Sequence, residues 1–266
     1  MDIITSNNNP RVKWINKINR DSGFRREEDV FVVEGIRMFR EIPVDRVREI
    51  YLSESFYDEN NKLLHEMGVS DKTVVMKDTV FAAISQTKTP QGCMAVVRCA
   101  HYTLDMIDND RDYEVYLVLE TLQDPGNMGT IFRSAEAAGV TALIIGNGSC
   151  DPYNPKVVRS TMGAIFRVPF IVSDDLVETV RQLKQRGVVV YGAHLDGDDL
   201  YDIQIPHKVA FLIGNEGNGL SQNVSNEADE LLRIPMDGKV ESLNAAISAT
   251  LLSYEAMRQR KSARQN

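Results

Sequence analysis

Six short apolar runs in the second half of the chain alternate with stretches of helical spacing. The run Val115 to Glu120 (VYLVLE) is apolar on both of its faces, as a strand covered on both sides must be. ALIIG (Ala142 to Gly146), FIV, VVVYGA, VAFLIG and LLRIPM follow it. Between and after them come NMGTIFRSAEAAG, KVVRSTMGAIF, LVETVRQLKQRG and a long last segment, LNAAISATLLSYEAMRQRK. Apolar residues at helical spacing, with Gly187 closing the third segment, predict four helices. Strands alternating with helices predict an α/β fold whose parallel sheet carries helices on both faces.

The first half is a smaller α/β pattern. Strands are expected at Val30 to Val33, Glu49 to Ser55, Lys72 to Lys77 and Cys93 to Cys99. Helices are expected from Gly35 to Ile42 and over NNKLLHEMGV, ending near Gly68. The stretch HYTLDMIDNDRDY is polar and crowds Asp108, Asn109, Asp110 and Asp112 into five positions. It reads as a linker over residues 101–113, between a domain at 1–100 and another at 114–266.

Composition excludes several classes. Hydrophobic residues at 43% and charged residues at 26% suit a globular chain, not a disordered or polytopic one. The formal net charge is −8, so nucleic acid cannot be held by bulk charge and would need a local basic patch. One such patch exists. Arg11, Lys13, Lys17, Arg20, Arg25 and Arg26 are opposed between them by Asp21 alone. Val12, Trp14, Ile15 and Ile18 interleave, which predicts an amphipathic helix whose basic face is either solvated or bound to nucleic acid. The three cysteines form no CxxC pair and the four histidines no HxxxH pair, so no metal site is expected. The N-terminus lacks an apolar core after a basic start. The uncharged stretch from Leu243 to Tyr254 is far shorter than the ~20 residues of a membrane span. A soluble, cytoplasmic protein is expected.

Ligands of open α/β sheets bind beyond the carboxyl ends of the strands, and four loops there are unusual. Val115 to Glu120 opens into Asp124-Pro125-Gly126-Asn127-Met128-Gly129, with Arg133 four residues further on. That guanidinium suits a phosphate, or an ion pair with Glu136. Gly146-x-Gly148 lacks the third glycine of a dinucleotide fingerprint, and no ribose-binding acid follows it, which argues against an NAD enzyme. Arg159, on the next helix, is a phosphate contact or a surface charge. Gly214-Asn215-Glu216-Gly217-Asn218-Gly219 is a ligand-approach loop or a plain glycine loop. Ser242 or Glu241 can cap the last helix, with Asn244 in its first turn.

Together these loops resemble the SpoU (TrmH) family of RNA 2′-O-ribose methyltransferases, of the SPOUT superfamily. The family pattern Asn-x-Gly-x-x-x-Arg is met by Asn127 to Arg133. Its Gly-x-Glu-x-x-Gly-Leu loop is met by Gly214 to Leu220. Its Ile-Pro-Met and Ser-Leu-Asn are met by Ile234 to Met236 and Ser242 to Asn244. The first half is similar to family members with an N-terminal RNA-binding extension related to a ribosomal-protein fold. The shared features are a basic helix and then Phe-x-x-Glu-Gly, here Phe31 to Gly35.

The resemblance implies a trefoil knot in the second domain and a homodimer. It implies S-adenosyl-L-methionine as cofactor, bound near Gly214, Ile234, Met236 and Leu243. It assigns the chemistry to Arg133, with Asn127, Glu216, Ser242 and Asn244 positioning ribose and loop, and with no metal. RNA would be held by Arg11, Lys13, Arg25, Arg26 and Arg159. It favours 23S rRNA as substrate. The alternatives are a tRNA 2′-O-methyltransferase and a non-catalytic RNA-binding or ribosome-assembly protein on the same fold.

Overall fold

The computed structural model describes residues 3–66, 70–107, 112–240 and 242–263. The chain forms two compact units, Met1–Ala100 with Asp151–Phe166, and His101–Cys150 with Arg167–Asn266.

The first unit opens with α1 (Pro10–Arg20) and α2 (Ser22–Glu28). The single basic helix expected over 11–26 is therefore two. Asp21 leaves helical geometry (φ −119°, ψ 109°) and its carboxylate accepts from Phe24 N at 3.0 Å, so it ends one helix and caps the next. Then come β1 (Val30–Glu34), α3 (Ile36–Phe39), β2 (Val47–Ser53), α4 (Glu54–Glu66), β3 (Thr73–Met76), α5 (Asp78–Ile84) and β4 (Cys93–Arg98). The sheet order is β1-β4-β2-β3, with β4 antiparallel to both of its neighbours and β2 parallel to β3. Val12, Ile15 and Ile18 of α1 are packed into a core with Val32, Tyr51, Phe81 and Met94. The expected end of α4 near Gly68 lies outside the described residues.

Burial of α1 and α2 corrects one RNA-binding expectation. Arg25 is 4% exposed. Its Nε and Nη2 donate to Asp151 Oδ2 at 2.9 and 2.6 Å, and its Nη1 donates to the Ile18 carbonyl at 2.6 Å. A guanidinium committed inside the unit cannot meet a phosphate. It ties α2 to α1 and to the returning segment at 151.

The second unit begins with β5 (Glu114–Leu119), α6 (Pro125–Ala138) and β6 (Ala142–Gly146). The chain then returns to the first unit with α7 (Pro155–Ser160), which packs on β1. The Phe31 ring lies 4.5 Å from that of Tyr153 and 6.1 Å from that of Phe166. Residues 151–166, read from sequence as part of the second domain, thus belong with the first unit. The helix expected over 156–166 stops early, because Met162 (φ 52°) and Gly163 (φ 95°) turn left-handed.

Back in the second unit follow β7 (Phe170–Ser173), α8 (Leu176–Gln185), β8 (Val189–Asp199), β9 (Lys208–Ile213), α9 (Gln222–Ser225), β10 (Glu230–Arg233) and α10 (Ala245–Ala263). The order is β10-β8-β9-β5-β6-β7, and every neighbouring pair is parallel. β5 is buried along its whole length. The chain leaves β5 toward β6 and β7 on one side, and β8 to β10 fill the other. The order reverses between β5 and β9, so the crevice beyond their carboxyl ends is the topological switch point. Leu104 and Ile107 lie in this unit's core with Tyr116, Val118 and Ile144, so 101–107 is no free tether. The acidic positions 108–110 of the expected linker lie outside the described residues. Among the described residues no helix is long and apolar enough to cross a membrane.

Candidate functional site

At the end of β5 the backbone takes an uncommon turn. Thr121 is β-branched yet left-handed (φ 50°), a conformation that persists only when its surroundings hold it. Its carbonyl accepts from Asn215 Nδ2 at 2.9 Å, which fastens the end of β5 to the loop after β9. Three residues on, Asp124 caps α6 by accepting from Asn127 N at 2.7 Å, and Pro125 opens the first turn.

The predicted polar residues meet here. Glu216 accepts from Asn127 Nδ2 at 3.0 Å and from the backbone N–H of Gln123 and Asp124, each at 3.3 Å. Asn244 Nδ2 donates to Asn127 Oδ1 at 2.9 Å. Asn244 Oδ1 also accepts from Ala246 N and Ile247 N at 2.9 and 3.3 Å. Asn244 is therefore the cap of α10. Ser242, expected in that role, is not, and Glu241 lies outside the described residues. The relay Asn244 to Asn127 to Glu216 joins the start of α10, the start of α6 and the β9 loop.

Burial alone would raise the Glu216 carboxyl. Hydrogen bonds from Asn127 and the neighbouring backbone N–H groups outweigh it and hold the group below its ordinary value. A depressed carboxyl contributes stability above its unfolded pKa, and that stability is lost as pH falls through the folded one. Protection of the Gln123 and Asp124 amides against hydrogen exchange is therefore expected to hold from pH 7 down to the ordinary glutamate value of about 4.3 and to fall below it. Glu216→Ala is expected to lower that protection about tenfold at pH 7, the low end for bonds to a charged, partly exposed group. Protection unchanged by the substitution would contradict the clamp.

Arg133 is exposed on α6. Its alternative partner is taken: Glu136 receives Arg167, whose Nη2 is 3.1 Å from Oε2 and whose Nε also donates. Among the described residues Arg133 has no ion pair or hydrogen bond, so its five donors are open to a ligand.

A cavity of about 400 Å³ opens beside the β9 loop, within the range of small-ligand sites. Gly214, Ile234, Met236 and Leu243 all line it, as do Glu216 and Ser242. Asn127, Arg133 and Asn244 are not among its lining residues. The loop is pinned shut by paired Asn215–Gly219 backbone bonds of 2.9 and 3.0 Å. A Cβ at Gly214 would fall 2.1 Å from the Gly219 carbonyl carbon, so only glycine fits there. Aliphatic walls from Leu195, Ile213, Leu220 and Ile234, with exposed loop backbone and one charge of each sign, Glu216 and Arg233, suit a flat heterocycle that carries a zwitterionic tail.

Sequence reasoning missed Ala193, His194 and Leu195, which line the same cavity. Ala193 ends the expected strand VVVYGA and the other two follow it directly, so the strand-end rule could have reached them. It also missed Asn215, which the glycines around it overshadow.

Arg11, Lys13 and Arg26 are exposed in the first unit, and Arg11 Nε lies 3.8 Å from Glu49 Oε2. Arg159 is exposed on α7, its Nη1 3.5 Å from the Gln86 carbonyl.

The SpoU rRNA Methylase family model matches residues 114–254. The chain belongs to the SpoU family. A second model, the MRM3-like substrate binding domain, matches residues 9–95 of this SpoU chain. The chain is 31% identical over 258 residues to the Bacillus subtilis 23S rRNA (guanosine(2553)-2′-O)-methyltransferase RlmP, covering 96% of this chain and 98% of that one. It is 32% identical over 218 residues to the Neisseria meningitidis 23S rRNA (guanosine-2′-O-)-methyltransferase RlmB, covering 80% and 87%. The AdoMet-bound rRNA methyltransferase from Sinorhizobium meliloti superposes with a TM-score of 0.85 at 29% identity, over 97% of both chains. The SpoU methyltransferase AviRb from Streptomyces viridochromogenes, in complex with AdoMet, also reaches 0.85, at 30% identity over 96% and 99%.

Proposed function

We propose that this SpoU chain methylates a ribose 2′-OH of 23S rRNA with S-adenosylmethionine. The observation that carries the reading is the switch-point cavity, lined by the Gly214 to Leu220 loop and by Ile234, Met236, Ser242 and Leu243, and braced by the Asn244, Asn127 and Glu216 relay. Gly214, Ile234, Met236 and Leu243 would hold the cofactor. When bound, it supplies a methyl group made electrophilic by a sulfonium. The relatives named for 2′-O-methylation of 23S rRNA support the substrate.

A ribose hydroxyl is a poor nucleophile at neutral pH and must be aligned and relieved of its proton. Arg133 stays a cation, so it serves as a clamp and not as the base. Its fork holds an RNA phosphate and orients the hydroxyl, and the phosphate oxygen takes the proton. Asn127 and Asn244 fix the start of α6 and with it the approach of Arg133. Glu216 locks the loops, and Ser242 faces the cavity as a ribose contact.

Residues 1–100 serve as the RNA-binding part and 114–266 as the methyltransferase part, with 151–166 shared. Among the cations of the basic run, Lys13, Lys17, Arg20 and Arg26 are exposed without an ion pair in the described residues. An enzyme acting on rRNA would work in the cytoplasm. The second unit is read as knotted, as the family resemblance implies. With labelled S-adenosylmethionine and separated unmodified RNAs, label is expected in the 23S rRNA. Label in tRNA alone would overturn the substrate.

We also propose a homodimer through the outer face of α10. Ile247 and Tyr254 are 48% and 41% exposed, and Leu251 lies between them at helical spacing. Tyr201, 54% exposed, extends the same surface beside Leu251 and Tyr254. Sedimentation is expected to give twice the 29.9 kDa chain mass. Ile247→Glu with Tyr254→Glu is expected to give the monomer. A monomeric parent at micromolar concentration would contradict this.

A further inference from the structure

Glu34 and Gly35, the end of the Phe-x-x-Glu-Gly segment, take no part in the site above, yet the Glu34 carboxylate accepts three hydrogen bonds. It accepts from Gln86 N at 2.9 Å, from Thr87 Oγ1 at 2.8 Å and from Ser85 Oγ. From the other end of the same loop, Gln91 Oε1 accepts the Ile36 N–H at 2.9 Å. Residues 85–91 are thus braced at both ends by the corner where β1 turns into α3.

What this braced loop presents is polar and basic. Gln86, Lys88, Thr89 and Gln91 are exposed. Arg37 and Arg40 lie in and at the end of α3, which starts at the anchored Ile36, and Arg159 on α7 has its Nη1 3.5 Å from the Gln86 carbonyl. Among the described residues none of Arg37, Arg40, Lys88 and Arg159 forms an ion pair. Glu41 is the one exposed carboxylate of the α3 corner, and Glu34 is spent on the loop. No large exposed apolar side chain falls within 35–41 or 85–92, so the surface lacks the anchors a protein partner needs.

The basic run at 11–26 keeps Lys13, Arg20 and Arg26 exposed without an ion pair in the described residues, but these cations lie along α1 and α2 and not beside a braced loop. Arg25 is buried, Arg11 faces Glu49, and Lys17 lies 3.8 Å over the Phe24 ring. We infer that the braced loop Ser85–Gln91, with Arg37, Arg40 and Arg159, is the main RNA contact of the first unit. The cations grip phosphates, and the Gln86 amide and the remaining NH2 of Gln91 meet the RNA edge. A loop already held in place loses little freedom on binding. An unpaired cation in a chain of net charge −8 gives a local field where the whole molecule repels. The inference rests on the RNA-methyltransferase reading and deepens it.

The test uses the full chain, unmodified 23S rRNA transcript and a salt series. Each phosphate contact adds about 0.7–0.9 to the slope of log affinity against log salt. Arg37→Ala with Lys88→Ala is therefore expected to flatten the slope by about 1.4–1.8 and to weaken binding roughly 25- to 60-fold at 0.1 M salt. Methyl transfer at saturating RNA is expected to keep its kcat while KM rises. Lys88→Gln alone, which leaves α3 untouched, is expected to show about half the change in slope. Parent-like affinity and slope in both variants would overturn the inference. So would a larger loss from Lys13→Ala with Arg26→Ala, or retained RNA binding alongside lost binding of a ribosomal protein. Failure of the parent protein to methylate any RNA would instead remove the enzymatic reading, which the binding data do not touch.

Discussion

Arg133→Ala is expected to lower methyl transfer by about 10²- to 10³-fold, the usual loss when one positioned group that meets developing charge is removed. Arg133 has no partner within the protein among the described residues. It is exposed on α6, and its nearest candidate counter-ion, Glu136, is held by Arg167. A surface arginine with no internal partner has no structural duty to lose, so the variant should fold as the parent does. Nor does Arg133 line the cavity of Gly214, Ile234, Met236 and Leu243. S-adenosylmethionine affinity is therefore expected to stay within a few-fold. Calorimetric titration separates the two effects, with kcat falling and the cofactor Kd held. Normal turnover by the variant would contradict the clamp. A parallel loss of cofactor binding would relocate it.

The second large effect concerns stability. Arg25→Ala is expected to destabilise the first unit by about 3 kcal/mol, the low end for breaking a buried pair, because the partner keeps some access to water. Arg25 and Asp151 side chains are 5% and 25% exposed, and the Ile18 carbonyl loses its donor as well. The chain's one tryptophan, Trp14, lies in this unit and donates to Glu28, so its fluorescence follows this unit's unfolding. With a urea slope near 2 kcal/mol per molar, the midpoint should fall by roughly 1.5 M. The slope of RNA affinity with salt should not change. An unaltered midpoint with a flattened salt slope would make Arg25 an RNA contact after all.

Arg25 also shows where reading the sequence stops. The spacing of Val12, Ile15 and Ile18 correctly announces a buried face, because helical periodicity is local. Which cation points inward depends on Asp151, which comes 126 residues later, and no local pattern carries that. The second sheet came through well. Its central strands β5, β6 and β9 are buried on both faces, as parallel strands between helices must be, and all six runs form strands in the structure. The site came through as motifs and not as geometry. Asn127, Glu216 and Asn244 stand out in sequence, but that one amide bridges the other two is a fact of three loops meeting at a switch point. Asn244 rather than Ser242 caps α10 because its side chain serves the helix and the relay together. α5 went unseen because seven residues hold too few turns for a periodic pattern. The early stop of α7 depends on left-handed backbone at Met162, which nothing about methionine foretells.

The measurement that bears most directly on the central claim locates the transferred methyl group. Unmodified 23S rRNA is labelled by the protein from radioactive S-adenosylmethionine, hydrolysed in alkali and resolved by size, with Arg133→Ala alongside. A methylated 2′-OH cannot attack its neighbouring phosphate, so that linkage survives. The account predicts label in an alkali-resistant dinucleotide, lost with the variant. Label in mononucleotides, which marks base methylation, or label that persists with Arg133→Ala, would contradict it.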